Sequence, residues 1–277
     1  MGWFKRWRRA RIVRRADFNE SAWLETVNRY SFIRAMTEAE RARLKEWVIL
    51  FLHQKAIHGA GGLAVRDEIR FAIAAQACIL ILNLDLDYYR GWQEVIVYPD
   101  EFVAEYEHMD DDGVMHQVRE PMAGESWLQG PVILSWADVA APDQAAGYNV
   151  IIHEFAHKLD MLNGDANGFP PLHAGMSRDA WSGSFASAYA DFCRRVEAGE
   201  QTTIDPYAAD DPAEFFAVTS EAFFEIPQTL RTSYPEVYRQ LALFFRQDPA
   251  LRVRHASGST DAGEAPVPGG PRAGPLT

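Results

Sequence analysis

The run His153-Glu154-Phe155-Ala156-His157 holds the residues best suited to chemistry in this 277-residue chain. Two histidines four apart on a helix project from one face, where their imidazoles can take two corners of a tetrahedral zinc ion, one per chain. Glu154 then lies beside the open coordination position. Its carboxylate can accept a proton from the attacking water and later hand it to a leaving amine. Such a centre hydrolyses peptide bonds. Val150, Ile151, Ile152, Phe155, Leu159 and Leu162 make the rest of the segment apolar, which predicts a buried helix over 149–162 that stops at Asn163-Gly164. The plain alternative is a core helix with two hydrogen-bonded histidines and a surface glutamate; the apolar run before the motif and the glycine after it favour the metal.

A peptidase centre of this kind needs a third protein ligand, in one class a glutamate on a separate downstream helix. Asp211-Pro212-Ala213-Glu214 is the best source. The same four residues also read as a helix start, with Asp211 as N-cap, Pro212 first in the helix and Glu214 closing a capping box. Ligand and cap are balanced at this level, and Glu221, two turns further on, is the rival ligand. Asp160 is placed either to steady a ligand or to pair with Lys158 or an arginine. His53, His58, His108, His173 and His255 show no ligand spacing.

The elements that must position these residues follow from periodicity and punctuation. Helices are expected over 37–58, with a capping box at Thr37-Glu38-Ala39-Glu40, and over 66–82, 181–198, 212–225 and 234–245. Short strands are expected over 94–98, 114–118 and 130–136, the last as an edge against which an extended substrate could lie. Asp110-Asp111-Asp112-Gly113 reads as a turn and Gly124 as a loop. The fold class is therefore α+β, mainly helical, zincin-like, with a small sheet and the HExxH helix at the active site. Residues 17–255 are expected to form one peptidase domain, with a helical part over 17–90 and a catalytic part over 91–255. The Gly/Pro-rich stretch 256–277 reads as a disordered tail.

A hydrophobic fraction of 48% supports a sizeable core. The most apolar stretch, 71–82, is too short to cross a bilayer, which takes about 20 residues. No secretory h-region follows the basic start, and Cys78 and Cys193 form no paired motif, so a reducing, cytoplasmic setting is expected. Net charge is −12, yet residues 1–15 hold seven cations and no carboxylate. The segment 1–16 reads first as a mobile, solvated arm; with Trp3, Phe4 and Trp7 it could also touch an anionic membrane surface or a nucleic acid. The acidic remainder argues against direct binding of nucleic acid.

The runs 153–160 and 207–218, with Trp92-Gln93-Glu94-Val95-Ile96-Val97-Tyr98-Pro99 and Gln129-Gly130-Pro131-Val132-Ile133-Leu134-Ser135-Trp136, resemble those of the Mlc titration factor A family of bacterial zinc metallopeptidases. The likeness in these motifs runs from about 32 to 248. It implies an aminopeptidase-like activity on short peptides, and it puts the third ligand on Glu214. The family is also similar to the catalytic domain of anthrax lethal factor, where a tyrosine seven residues before the glutamate faces the metal; Tyr207 has that spacing and could donate to the oxyanion of the tetrahedral intermediate. The resemblance further implies a metal contact from His116, which would close the site in a latent state. The family name reflects binding to the glucose-responsive repressor Mlc. An alternative function follows from it: a cytoplasmic, non-catalytic protein that titrates a repressor, with a structural zinc.

Overall fold

The computed structural model describes residues 3–100, 102–109, 115–122, 124–126, 130–140 and 147–252, with side chains for all of these but 102–126. The expected tail, the acidic turn 110–113 and His255 lie outside the described residues.

The first part of the chain is helical: α1 (Trp3–Arg15), α2 (Glu20–Arg29), α3 (Ser31–Arg34), α4 (Glu38–Gln54) and α5 (Asp67–Leu80). α4 starts where the sequence places it, since Thr37 accepts from the Glu40 amide and the Glu40 carboxylate reaches back to the Thr37 amide at 2.9 Å. It ends four residues earlier than expected. Residues Ala56–Gly59 leave the helix to form β1, which pairs in parallel with β2 (Glu94–Tyr98). The Lys55 ammonium marks the change, donating to the carbonyls of Tyr89 and Trp92.

A hairpin, β3 (Phe102–Met109) with β4 (Met115–Met122), precedes β5 (Gly124–Ser126) and β6 (Val132–Ser135). The larger sheet runs β1-β2-β6-β5, with β5 antiparallel to β6. The strand expected to lie open at the edge, over 130–136, is thus an interior one. β5 covers it, and the loop expected at Gly124 is that edge strand.

The remaining helices are α6 (Trp136–Ala140), α7 (Val150–Asp160), α8 (Arg178–Glu197), α9 (Pro212–Glu225), α10 (Pro227–Ser233) and α11 (Pro235–Phe245). α7 packs against α5, α9, β5 and β6, so the motif helix is enclosed by the sheet on one side and helices on the other. Its inward side chain, Phe155, is fully buried among Phe51, Tyr89 and Trp92 with ring centroids 5.2–5.8 Å away. Removing such a ring costs about 3–5 kcal/mol. Behind α9, Phe215 and Phe216 pack on Phe185 and Trp181 of α8. The fold is α+β and mainly helical.

The basic segment that composition presents as a solvated arm is helical and tied to the body. Lys5 and Arg9 pair with Asp85 at 3.3 and 2.7 Å, and the Arg9 guanidinium lies 5.0 Å from the Trp47 ring. Burial alone would raise the Asp85 carboxyl, but Arg9, the Asp87 amide and Lys5 hold it well below the usual carboxylate range. A depressed carboxyl stabilises docking above its unfolded value, about 3.9, and that contribution fades as pH falls toward the folded value. Asp85→Asn is expected to speed hydrogen exchange of α1 amides at neutral pH, with the gap between wild type and variant closing below about pH 4. Equal exchange at neutral pH would show that these ion pairs do not hold the helix.

Candidate metal centre

The centre is built where α7 and α9 cross. Asn149 caps α7, its side-chain oxygen accepting from the Ile152 amide at 3.0 Å, while its Nδ2 donates to Gln76 Oε1 and Glu225 Oε1, each at 2.6 Å. The Asn149 amide donates to Glu221 Oε2. Glu221, 1% exposed, uses its other oxygen to accept from His153 Nδ1 at 2.8 Å. One carboxylate therefore fixes both the start of the motif helix and the ring of its first histidine.

Helical spacing puts His157 beside His153, with the two Nε2 atoms 3.1 Å apart. Glu214 meets them from the first turn of α9, with Oε2 at 2.9 Å from His153 Nε2 and Oε1 at 3.3 Å from His157 Nε2. The competition between cap and ligand is resolved in space. Asp211 caps α9 by accepting from the amides of Ala213 and Glu214 at 2.6 and 2.9 Å, and the Glu214 carboxylate turns to the histidines. Glu221 supports a ligand and stands outside the cluster of His153, His157 and Glu214.

That cluster fits a metal ion. Donor atoms at about 2.0–2.2 Å around a tetrahedral ion stand roughly 3.3 Å from each other, close to the separations here. With the Nδ1 proton of His153 aimed at Glu221, its Nε2 lone pair faces Glu214 Oε2, a buried oxygen without a hydrogen-bond donor among the described residues. In the neutral imidazole those lone pairs oppose each other, so a cation, either a proton on Nε2 or a metal ion, belongs between them. Burial would lower the His153 pKa, but Glu214, Glu221 and Glu154 raise it well above the ordinary value, and the histidines in turn hold the Glu214 carboxyl well below the usual range. The same field that holds a proton would hold a divalent ion.

Glu154 is buried beside the cluster, and its charge is felt by His153, Tyr148, Tyr207 and Lys158. Tyr207 sits in a single 3-10 turn, Pro206–Ala209, with its amide donating to Asp205 at 2.9 Å. Its ring is 6.1 Å from that of His153 and 55% exposed. Burial, then Glu214, Asp210 and Glu154, push its phenol pKa up, so it stays a proton donor. Tyr148 does the same from beside the α7 cap, raised by burial and by Asp138, Glu221 and Glu154. Sequence reasoning passed over Tyr148; only its place next to the cap residue of the motif helix could have singled it out.

Lys158 donates to the Gly130 carbonyl at 3.0 Å, and burial lowers its ammonium to about 8. Asp160 instead accepts from the Asn167 and Gly168 amides at 2.7 and 2.6 Å, which leaves Oδ1 and His157 Nδ1 both buried without a hydrogen-bond partner among the described residues. His173 is structural, bonded to Tyr88 and to the Phe244 carbonyl. His116 falls on β4 opposite His108, and its side chain lies outside the described residues.

The profile of the glucose-regulated metallopeptidases, M90, matches residues 4–246. The chain belongs to that family. Proteins named Mlc titration factor A from Salmonella gallinarum and Salmonella typhimurium are 41% and 40% identical to it over 237 residues, 83% of this chain and 87% of theirs. The family match takes in α1, which the motifs alone leave outside. This M90 chain is therefore a metallopeptidase with a metal cofactor, and His153, His157 and Glu214 are the residues among those described that could hold it.

Glu221→Gln is expected to lower metal affinity about 10–100-fold in a chelator competition, because the carboxylate orienting His153 is lost. Affinity in wild type should also fall with falling pH, as protons compete for the imidazoles. Unchanged affinity in the variant would remove Glu221 from the site.

Proposed function

We propose that the protein is a zinc aminopeptidase of the gluzincin type, with His153, His157 and Glu214 as ligands, Glu154 as general base and Tyr207 as oxyanion donor. The observation that carries this reading is the convergence within 4.8 Å of two imidazole nitrogens from the buried helix α7, where Glu154 follows the first histidine, and one carboxylate from α9. Zinc, when bound, supplies a Lewis acid that polarises the substrate carbonyl and lowers the pKa of water. Glu154 takes the proton of the attacking water on its carboxylate and delivers it to the leaving nitrogen. Tyr207, kept protonated by burial and by Glu214, donates to the developing oxyanion. An extended peptide adds by main-chain pairing to the outer edge of β5, which no strand among the described residues covers, next to α7.

The setting we infer is cytoplasmic, and the described residues include no helix long and apolar enough to cross a membrane. The name of the relatives, Mlc titration factor A, motivates a second role: binding a repressor of the Mlc type, either beside catalysis or in place of it with zinc as a structural ion. His116 would then hold the zinc in a latent state until β4 moves.

Glu154→Gln is expected to abolish cleavage of chromogenic peptides while zinc content and any repressor binding persist; residual cleavage at the wild-type rate would sink the catalytic assignment. Tyr207→Phe should lower kcat about 10²-fold with little change in KM. Comparing free and N-blocked peptides tests the end preference, with cleavage of blocked peptides alone contradicting an aminopeptidase. For His116→Ala, turnover equal to or above wild type is expected. Loss of zinc without any gain in rate would refute the latent state.

A further inference from the structure

The outward face of α1 takes no part in the metal centre. Lys5, Arg9, Ile12 and Val13 turn toward the body, while Trp3, Phe4 and Trp7 are 79%, 69% and 43% exposed. Around these rings Arg6, Arg8, Arg11, Arg14 and Arg15 are also exposed. The helix contains no carboxylate, and with seven cations in residues 1–15 against a total of −12, the rest of the chain carries −19. Aromatic rings left in water beside a row of guanidinium groups are the composition of a surface that meets an interface, apolar below and anionic above. Phe4 and Trp7 are stacked with centroids 6.1 Å apart, so they form one apolar tip.

Two further features point the same way. The ion pairs of Lys5 and Arg9 with Asp85 fix the helix on the body, so its outward face is presented as a rigid unit. Next to that face lies a groove of about 990 Å³ lined by apolar Ile49, Leu52 and Phe71, and by Arg8, Arg11, Arg15 and Arg70 against the carboxylates of Asp17 and Asp67. With arginines outnumbering carboxylates beside apolar residues, the groove suits a lipid, whose chain is apolar and whose phosphate is anionic.

We propose that α1 docks the enzyme on the surface of an anionic phospholipid bilayer, with Trp3, Phe4 and Trp7 in the headgroup layer and the outward arginines on lipid phosphates. A bilayer uses both the rings and the charges. A nucleic acid would use the arginines but offers no apolar layer for Trp3, Phe4 and Trp7; the acidic remainder opposes either polyanion, and α1 itself carries no carboxylate. A helix with one apolar tip binds reversibly, its strength set by anionic lipid content and ionic strength.

The test is sedimentation of the full chain with vesicles of pure phosphatidylcholine, or with about a third phosphatidylglycerol, at about 50 mM and about 500 mM NaCl, where screening lengths differ roughly threefold. Binding is expected to the anionic vesicles at low salt, at least tenfold weaker to neutral vesicles and at high salt. The combined variant Arg8→Glu, Arg11→Glu, Arg15→Glu should bind at least tenfold more weakly. Trp3→Ser with Phe4→Ser and Trp7→Ser should also weaken binding and remove the blue shift of tryptophan emission on vesicles. Both should cleave a short soluble peptide at the wild-type rate, which also shows that they fold. The proposal is overturned if wild type ignores anionic vesicles at low salt, binds neutral ones as well, or binds a DNA duplex more tightly than vesicles at the same salt. These wild-type comparisons decide it even if a variant misfolds.

Discussion

The Glu221 carboxylate is the constraint on which the metal centre depends. It accepts from the Asn149 amide and from His153 Nδ1, so a single buried group ties the beginning of α7 to the middle of α9 and sets the direction of an imidazole. Burying a carboxylate is costly unless it is fully hydrogen-bonded. Here both oxygens are used, and both acceptors serve geometry. Asn149 extends the clamp to Gln76 on α5 and Glu225 on α9, joining three helices at one residue.

Packing makes that clamp rigid. Phe155, between the two histidines in sequence, points away from them into the cluster of Phe51, Tyr89 and Trp92. The same helix thus carries its ligands on one face and its anchor on the other. α9 is backed in turn by the aromatic wall of α8. Ligands held on packed helices keep their spacing without a loop having to be ordered first, which is what a tetrahedral site requires. Tyr148 and Tyr207, whose phenols feel the Glu154 charge, sit instead on short segments outside the α-helices and are exposed.

Much of this was legible in the chain. The period of the apolar residues marks α7 and α9, the Thr37 box marks the start of α4, and the Val-Ile-Val run marks β2. Other features were hidden for physical reasons. β1 has four residues, one of them a glycine, too few for alternation to show, and it exists because β2 supplies its hydrogen bonds. α1 reads as solvated charge, since its helix is stabilised by Asp85 and Trp47, remote in sequence. The edge of the sheet cannot be read from β6 itself, because β5 covers it by tertiary pairing.

By itself the sequence determined the chemistry available: two imidazoles a helical turn apart with a carboxylate between them, and acidic residues on a later helix that starts at Asp211-Pro212. It could do so because i, i+4 spacing is a local property of the backbone. Spacing left Glu214 and Glu221 as rivals, and the family resemblance favoured Glu214. Only the tertiary structure separated their roles, since the crossing of α7 and α9 brings Glu214 to the two Nε2 atoms and Glu221 to the Nδ1 atom behind them. Residues two turns apart on one helix share a face, and which end of that face meets a ligand is decided by where another helix crosses it.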